Sequence, residues 1–180
     1  HTTCRRQRQM CIRDSPLTKK GKNRLRAEQQ WKIISKQKDL PLHIFRLAGI
    51  YGPKRNFLER IKNGEIKNIF KEGQYFSRIY IDDLIKLLFI SMMNPNEIIT
   101  YNISDDMSSS SSEVIEFVCD LISIKCPEKI LYESLDESFK SESFYFENKR
   151  INNTLIKKQF GIKLDYPTFR EGYKLSLIHI

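Results

Sequence analysis

Short apolar runs alternate with segments of helical pattern from residue 19 onward, and this alternation limits the possible folds more than any other feature of the chain. Residues 19–38 carry a helical pattern. Residues 40–48, with Pro41 near their start, read as a buried strand, and residues 49–56 as a loop containing Gly52-Pro53. A short helix over 57–62 closes at Asn63-Gly64. Strand-like runs at 67–70 and 78–81 flank the turn Glu72-Gly73. Asp82 and Asp83 favour a helix N-terminus, by capping and by interaction with the helix dipole, and the apolar helix 84–93 follows. A strand is expected at 98–103. Ser110 and Glu113 fit a capping box before a helix at 114–124. The serine run 108–112 reads as a loop entering that helix. A helix at 152–160 stops at Gly161, and Pro167 starts the last one. Strands alternating with helices predict an α/β fold with parallel strands.

The seven glycines stand at 21, 49, 52, 64, 73, 161 and 172, and none form G-x-G-x-x-G. A nucleotide-binding α/β protein containing this segment would therefore carry its phosphate loop upstream.

The two ends read differently from the rest. Residues 10–15 are MCIRDS and residues 175–180 are LSLIHI. One DNA sequence, ATG TGT ATA AGA GAC AG, encodes the first, and its reverse complement encodes the second. Such an inverted repeat matches the transposon end used in sequencing adapters. Residues 1–15 and 175–180 are thus expected to be adapter-derived, leaving 16–174 as the native segment. Removing Arg5, Arg6, Arg8, Arg13 and Asp14 from 31 basic and 22 acidic residues leaves 27 and 21, a net charge of +6. Of four cysteines only Cys119 and Cys126 remain; their spacing fits no zinc or redox pattern and suits thiols of a reducing cytoplasm. His43, flanked by Leu42 and Ile44, is the remaining histidine and reads as a strand residue, so a His-dependent triad or multi-histidine metal site is unsupported. The ten-residue run 84–93 carries Lys86 and falls short of the ~18–20 residues of a membrane span.

Four strings, in order, carry a family resemblance. They are Phe45-Arg46-Leu47-Ala48-Gly49-Ile50-Tyr51-Gly52-Pro53, then Phe76-Ser77-Arg78-Ile79-Tyr80-Ile81-Asp82-Asp83, then Tyr101-Asn102-Ile103-Ser104-Asp105-Asp106, then a tail. The tail comprises Asn148-Lys149-Arg150-Ile151-Asn152-Asn153, Phe160-Gly161 and 166–172. Together they resemble the C-terminal portion of the NAD-dependent epimerase/dehydratase family, the extended short-chain dehydrogenases/reductases. The resemblance implies the C-terminal part of a Rossmann-type doubly wound parallel sheet plus the small substrate-binding subdomain. The N-terminal βαβ units would be missing.

That family's Tyr-x-x-x-Lys pair maps onto Lys20 and Arg24, so the usual pair is replaced, as in atypical branches of the family. Arg24 could keep the lysine's contact to the cofactor ribose, but it cannot act as a base, since arginine's pKa stays above about 12. Lys20 could move a proton only with a strongly lowered pKa. By helical spacing Lys20 and Arg24 share a face with Ala27, Trp31 and Ile34, an apolar stripe expected to contact the core. Clustered cations near a helix N-terminus oppose the dipole, so this end suits a bound anion or a solvated basic surface.

The resemblance further implies NAD or NADP as cofactor, with Ala48, Gly49, Ile50 and Tyr51 beside the nicotinamide. Tyr51 is a packing residue or a hydrogen-bond donor there. Arg78 stands two residues after the arginine that often binds a nucleotide-sugar diphosphate. Side chains alternate along a strand, so this offset keeps the face, and Arg78, Tyr80 and Arg55 are candidate substrate contacts. An ion pair with a local carboxylate is the other reading of Arg78. Asp82 and Asp83 read as helix caps rather than metal ligands. The expected function is a fragment of an NAD(P)-dependent sugar-nucleotide epimerase/dehydratase-like or reductase-like protein acting on a small molecule; a homodimer is compatible with the parent. The alternative is a non-catalytic NAD(P)-binding sensor or partner protein. Nucleic-acid binding is disfavoured, because aromatics do not interleave with the basic clusters.

Overall fold

Paired parallel strands with helices between them organise the chain, as the alternation predicts. The computed structural model describes residues 19–178 except 54, 56, 96, 97, 143, 144, 146, 147 and 149. The adapter expectation for 1–15 and Lys149 of the tail string lie outside the described residues. In order, the elements are α1 (Lys19–Lys38), β1 (His43–Leu47), β2 (Gly49–Tyr51), α2 (Leu58–Lys62), β3 (Asn68–Phe70) and β4 (Arg78–Tyr80). They continue with α3 (Ile81–Met93), β5 (Ile99–Ile103), α4 (Ser111–Leu121), β6 (Lys129–Leu131) and a 3-10 turn at Tyr132–Ser134. The chain ends on α5 (Glu137–Glu142), α6 (Thr154–Phe160) and α7 (Phe169–Ile178).

All three pairings, β1 with β5, β2 with β4 and β3 with β6, are parallel. The stretch 43–51 changes partner midway. Ala48 N–H donates to Ile103 O at 2.9 Å, whereas Gly49 N–H donates to Ser77 O at 3.2 Å. What reads as a loop in sequence is therefore half strand. β6 and α5 carry too little apolar pattern to be read from sequence, and β6 forms through its pairing with β3.

Two cores form on these strands. Ile79, Leu84, Leu87, Tyr101, Ile103, Ile156 and Leu164 join β4 and β5 to α3 and α6. Tyr51, Leu58, Ile61, Tyr80, Val114, Val118, Phe169 and Tyr173 join β2 and β4 to α2, α4 and α7. Close approach at two glycines makes the second core possible. A Cβ on Gly52 would come within 2.5 Å of Ile81 Cγ2, and a Cβ on Gly172 would run into the Tyr51 phenol.

Three sequence expectations give way here. The α1 stripe of Ala27, Trp31 and Ile34 is exposed, Trp31 by 61% and Ile34 by 44%. The inward side is rotated by one residue: Glu28 grips Arg46 of β1, and Ser35 is buried with its hydroxyl donating to Leu40 O. An ion pair, not an apolar stripe, sets the helix phase. Asp83 does not cap its own helix. It is buried, and its carboxylate accepts from the backbone N–H groups of Asp165 and Tyr166, both at 2.9 Å. The last helix begins after Thr168, not at Pro167. Thr168 and Glu171 form a capping box in which Glu171 accepts from the Thr168 N–H at 3.0 Å. That helix continues through residues 175–178, with Ser176 buried.

Candidate functional site

Tyr51, Arg78 and Tyr80 come together where β2 and β4 meet α7. Arg78 is 8% exposed, and its Nη1 donates to Ser109 Oγ at 2.7 Å, Ser109 O at 3.2 Å and Phe76 O at 3.1 Å. Burial lowers its pKa, while Tyr173, Asp105, Tyr51 and Glu113 act in the opposite direction. Among the described residues Arg78 makes no ion pair, so the local-carboxylate reading fails in its simple form.

Tyr51 stacks on Tyr173 with centroids 5.3 Å apart and meets Tyr80 edge-on at 5.2 Å. Its hydroxyl donates to Thr168 O at 3.4 Å. Burial, then Asp105, pushes its pKa upward, so it is held neutral and serves packing. Tyr80 is fully buried and lies against Tyr166 at 4.4 Å. Arg78 and Tyr80 keep the same strand face, as expected, but that face is an interior wall instead of an open substrate surface.

The strand-end loop is more open. Gly49 is exposed, Ala48 and Ile50 are half-buried, and the main chain there is fixed by the bonds from 48 and 49. Arg55 is exposed and pairs through its backbone with Gly52, at 3.0 and 3.3 Å. Lys20 lies in the first turn of α1, its side chain outside the description. Arg24 is exposed, and no hydrogen bond or ion pair holds it among the described residues. The structure therefore joins Tyr51, Arg78 and Tyr80 and leaves Arg24 and Arg55 apart from them.

Residues that sequence reasoning passed over organise this region. Arg46, 3% exposed, donates to the Glu28 carboxylate from Nε at 3.1 and 3.2 Å and from Nη2 at 2.7 Å. A charge inside the apolar run 40–48 was the available signal. Each member of the serine run also has its own partner. Ser108 bonds Ser77 at 2.9 Å, Ser109 receives Arg78, and Ser110 caps α4 by accepting from Glu113 N–H at 3.0 Å. Asn153, buried in the tail, donates to Ser104 O at 2.8 Å and Asp106 Oδ1 at 2.6 Å, tying α6 to the end of β5. His43 is a strand residue as expected, its Nδ1 2.6 Å from Ser91 Oγ. Cys119 and Cys126 are free thiols, and burial raises Cys119 to about 12. Among the described residues no group of His, Cys, Asp and Glu could hold a metal, and no helix is long and apolar enough to cross a membrane.

The fold has solved counterparts. A conserved protein of unknown function from Silicibacter pomeroyi DSS is similar over 92% of this chain and 57% of its own, at 38% identity and a TM-score of 0.84. dTDP-glucose 4,6-dehydratase from Bacillus anthracis str. Ames, solved with NAD, aligns over 91% of this chain and 52% of its own, at 17% identity and a TM-score of 0.70. The fold is the Rossmann-like one of such enzymes. UDP-glucose 4-epimerase from Thermotoga maritima, solved with UDP-glucose, shares it over 88% of this chain and 52% of its own, at 19% identity and a TM-score of 0.70. The chain thus spans little more than half the length of the structures it matches. No protein-family model and no curated protein matches it.

Proposed function

We propose that this chain is the C-terminal portion of an NAD(P)-dependent sugar-nucleotide epimerase/dehydratase-like or reductase-like protein whose usual Tyr-x-x-x-Lys pair is replaced by Lys20 and Arg24. One observation carries the reading. The α1 face bearing Arg24, Ala27, Trp31 and Ile34 is uncovered, although Trp31 and Ile34 are large apolar groups. In a fold shared with enzymes nearly twice as long, that face has the composition of a surface closed by the N-terminal βαβ units.

The residues present fit one wall of a dinucleotide site. The exposed Gly49 lets the main chain of 48–50 approach a flat ring, and Arg24 offers a permanent cation for a ribose or phosphate. A bound nicotinamide would supply hydride transfer. This chain's part would be to orient it along 48–51 and to exclude water through the buried Tyr51, Arg78 and Tyr80 layer. Proton transfer would fall to Lys20, which stands at the position of the family tyrosine, provided its pKa is strongly lowered.

The alternative, a non-catalytic NAD(P)-binding sensor or partner, is favoured by the same absence of a tyrosine at position 20. The test is the parent protein, expressed with its upstream coding sequence. Titration calorimetry with NAD and NADP is expected to show one-to-one binding that the chain alone lacks. Reduced-nicotinamide absorbance over a panel of nucleotide sugars then separates enzyme from binder. Turnover that survives Lys20→Ala would remove Lys20 as the acid/base group, and tight binding by residues 16–174 alone would overturn the fragment reading.

A further inference from the structure

Asp105 follows β5 and is 3% exposed, and among the described residues neither of its carboxylate oxygens accepts a hydrogen bond. Its own N–H donates to Arg78 O at 2.6 Å, which sets the two residues side by side. The guanidinium of Arg78 nevertheless spends Nη1 on Ser109 and the Phe76 carbonyl. A buried carboxylate without partners has two stable arrangements: it stays neutral, or it ionises and draws in the nearest cation.

We propose that Asp105 and Arg78 form a proton-operated latch. With Asp105 neutral, Arg78 holds Ser109 and fixes the loop entering α4. When Asp105 releases its proton to solvent, the guanidinium turns to the carboxylate and lets go of Ser109. Ser109 stands immediately before Ser110, the N-cap of α4, and exchanges backbone hydrogen bonds with Phe76 at 2.9 and 3.1 Å. Release therefore loosens both the α4 N-terminus and the entry to β4.

The surrounding groups leave Asp105 to do the titrating. From β2 and α7, Tyr51 and Tyr173 face the pair, and burial holds both phenols neutral, Tyr173 at about 12. From α4, Glu113 is paired with Arg170 of α7 at 3.1 Å. In its own loop, Asp106 is paired with Lys157 of α6 at 2.6 Å. Burial raises Asp105 from the ordinary 3.8 to about 8, against the opposing pull of the Arg78 charge. The latch therefore operates across the neutral range.

The test is NMR of the 180-residue chain, with the exposed Phe89 and Met92 of α3 changed to lysine to keep it monomeric, carrying 13C-labelled aspartate and 15N-labelled backbone and arginine. The Asp105 carboxyl carbon is expected to titrate with a midpoint near 8, and the Arg78 side-chain N–H and the Ser109 amide should shift with the same midpoint. Asp105→Asn should abolish the shared step at Arg78 and Ser109. Should that variant fail to fold, Ser109→Ala provides the second arm. It removes an acceptor from the neutral state, so the Asp105 midpoint should fall by about one pH unit. An Asp105 midpoint near 3.8 would overturn the latch. So would flat Arg78 and Ser109 signals through the Asp105 titration, or a midpoint indifferent to Ser109→Ala.

Discussion

Removing the Glu28 carboxylate would leave the Arg46 guanidinium buried without the partner that meets it on both Nε and Nη2. Breaking such a pair from one side costs more than the pair contributes, because the remaining charge stays out of water. Glu28→Ala is expected to destabilise the chain by on the order of 3 kcal/mol in urea denaturation, and Glu28→Leu combined with Arg46→Met should recover most of it. Asp105 makes a prediction about pH. Its folded-state pKa lies above the unfolded value, so between 3.8 and about 8 the native chain binds more protons than the unfolded one. Stability contributed by neutral Asp105 is complete below that window, falls as pH rises through it and levels off above. Denaturant midpoints measured from pH 4 to 9 should show this decline, and Asp105→Asn should flatten it. Arg46 and Asp105 stand in the strings that carry the resemblance, but neither has a role legible in sequence. Arg46 sat inside an apolar run and Asp105 beside another aspartate, and only burial separates their roles from those of ordinary surface charges.

At the scale of elements, α7 shows how a helix start and a helix contact are set by different residues. Thr168→Ala removes the cap and should cost about 1 kcal/mol, read as a lower Tm by circular dichroism. Gly172→Ala would gain about 1 kcal/mol of helix propensity in isolation. Here the added methyl meets the Tyr51 phenol, so the variant should be destabilised instead, and Tyr51→Phe should restore part of the loss. The signal for the cap, Thr168-x-x-Glu171, was present in the sequence but stood behind Pro167. Most other elements were legible because apolar period and turn residues agree: β1, α3, β5 and α6 fall within two or three residues of expectation. β2 was not legible, since its three residues become a strand only by lying beside β4. The phase of α1 was not legible either, since 20, 24, 27, 31 and 34 form a plausible stripe until the Glu28–Arg46 pair turns the helix.

For the whole molecule, the largest groups of exposed apolar side chains lie on α1 and α3. Trp31 and Ile34 on α1 are exposed by 61% and 44%, and Ile85, Phe89 and Met92 on α3 by 56%, 63% and 77%. Contiguous patches of this kind drive association. The chain by itself should self-associate at micromolar concentration in analytical ultracentrifugation, and Phe89→Lys with Met92→Lys should shift it toward monomer. The sequence by itself determined the α/β class, the parallel order and the absence of a glycine-rich phosphate loop, because strand and helix periods and glycine spacing are local properties. Tertiary structure alone decided that Arg78 points into the interior, that Asp83 pins the 165–166 loop and that the serine run is a set of specific partners. Those outcomes depend on which polar groups meet once water is excluded, and residues such as Arg78 and Ser109, 31 positions apart, meet only when the chain has folded.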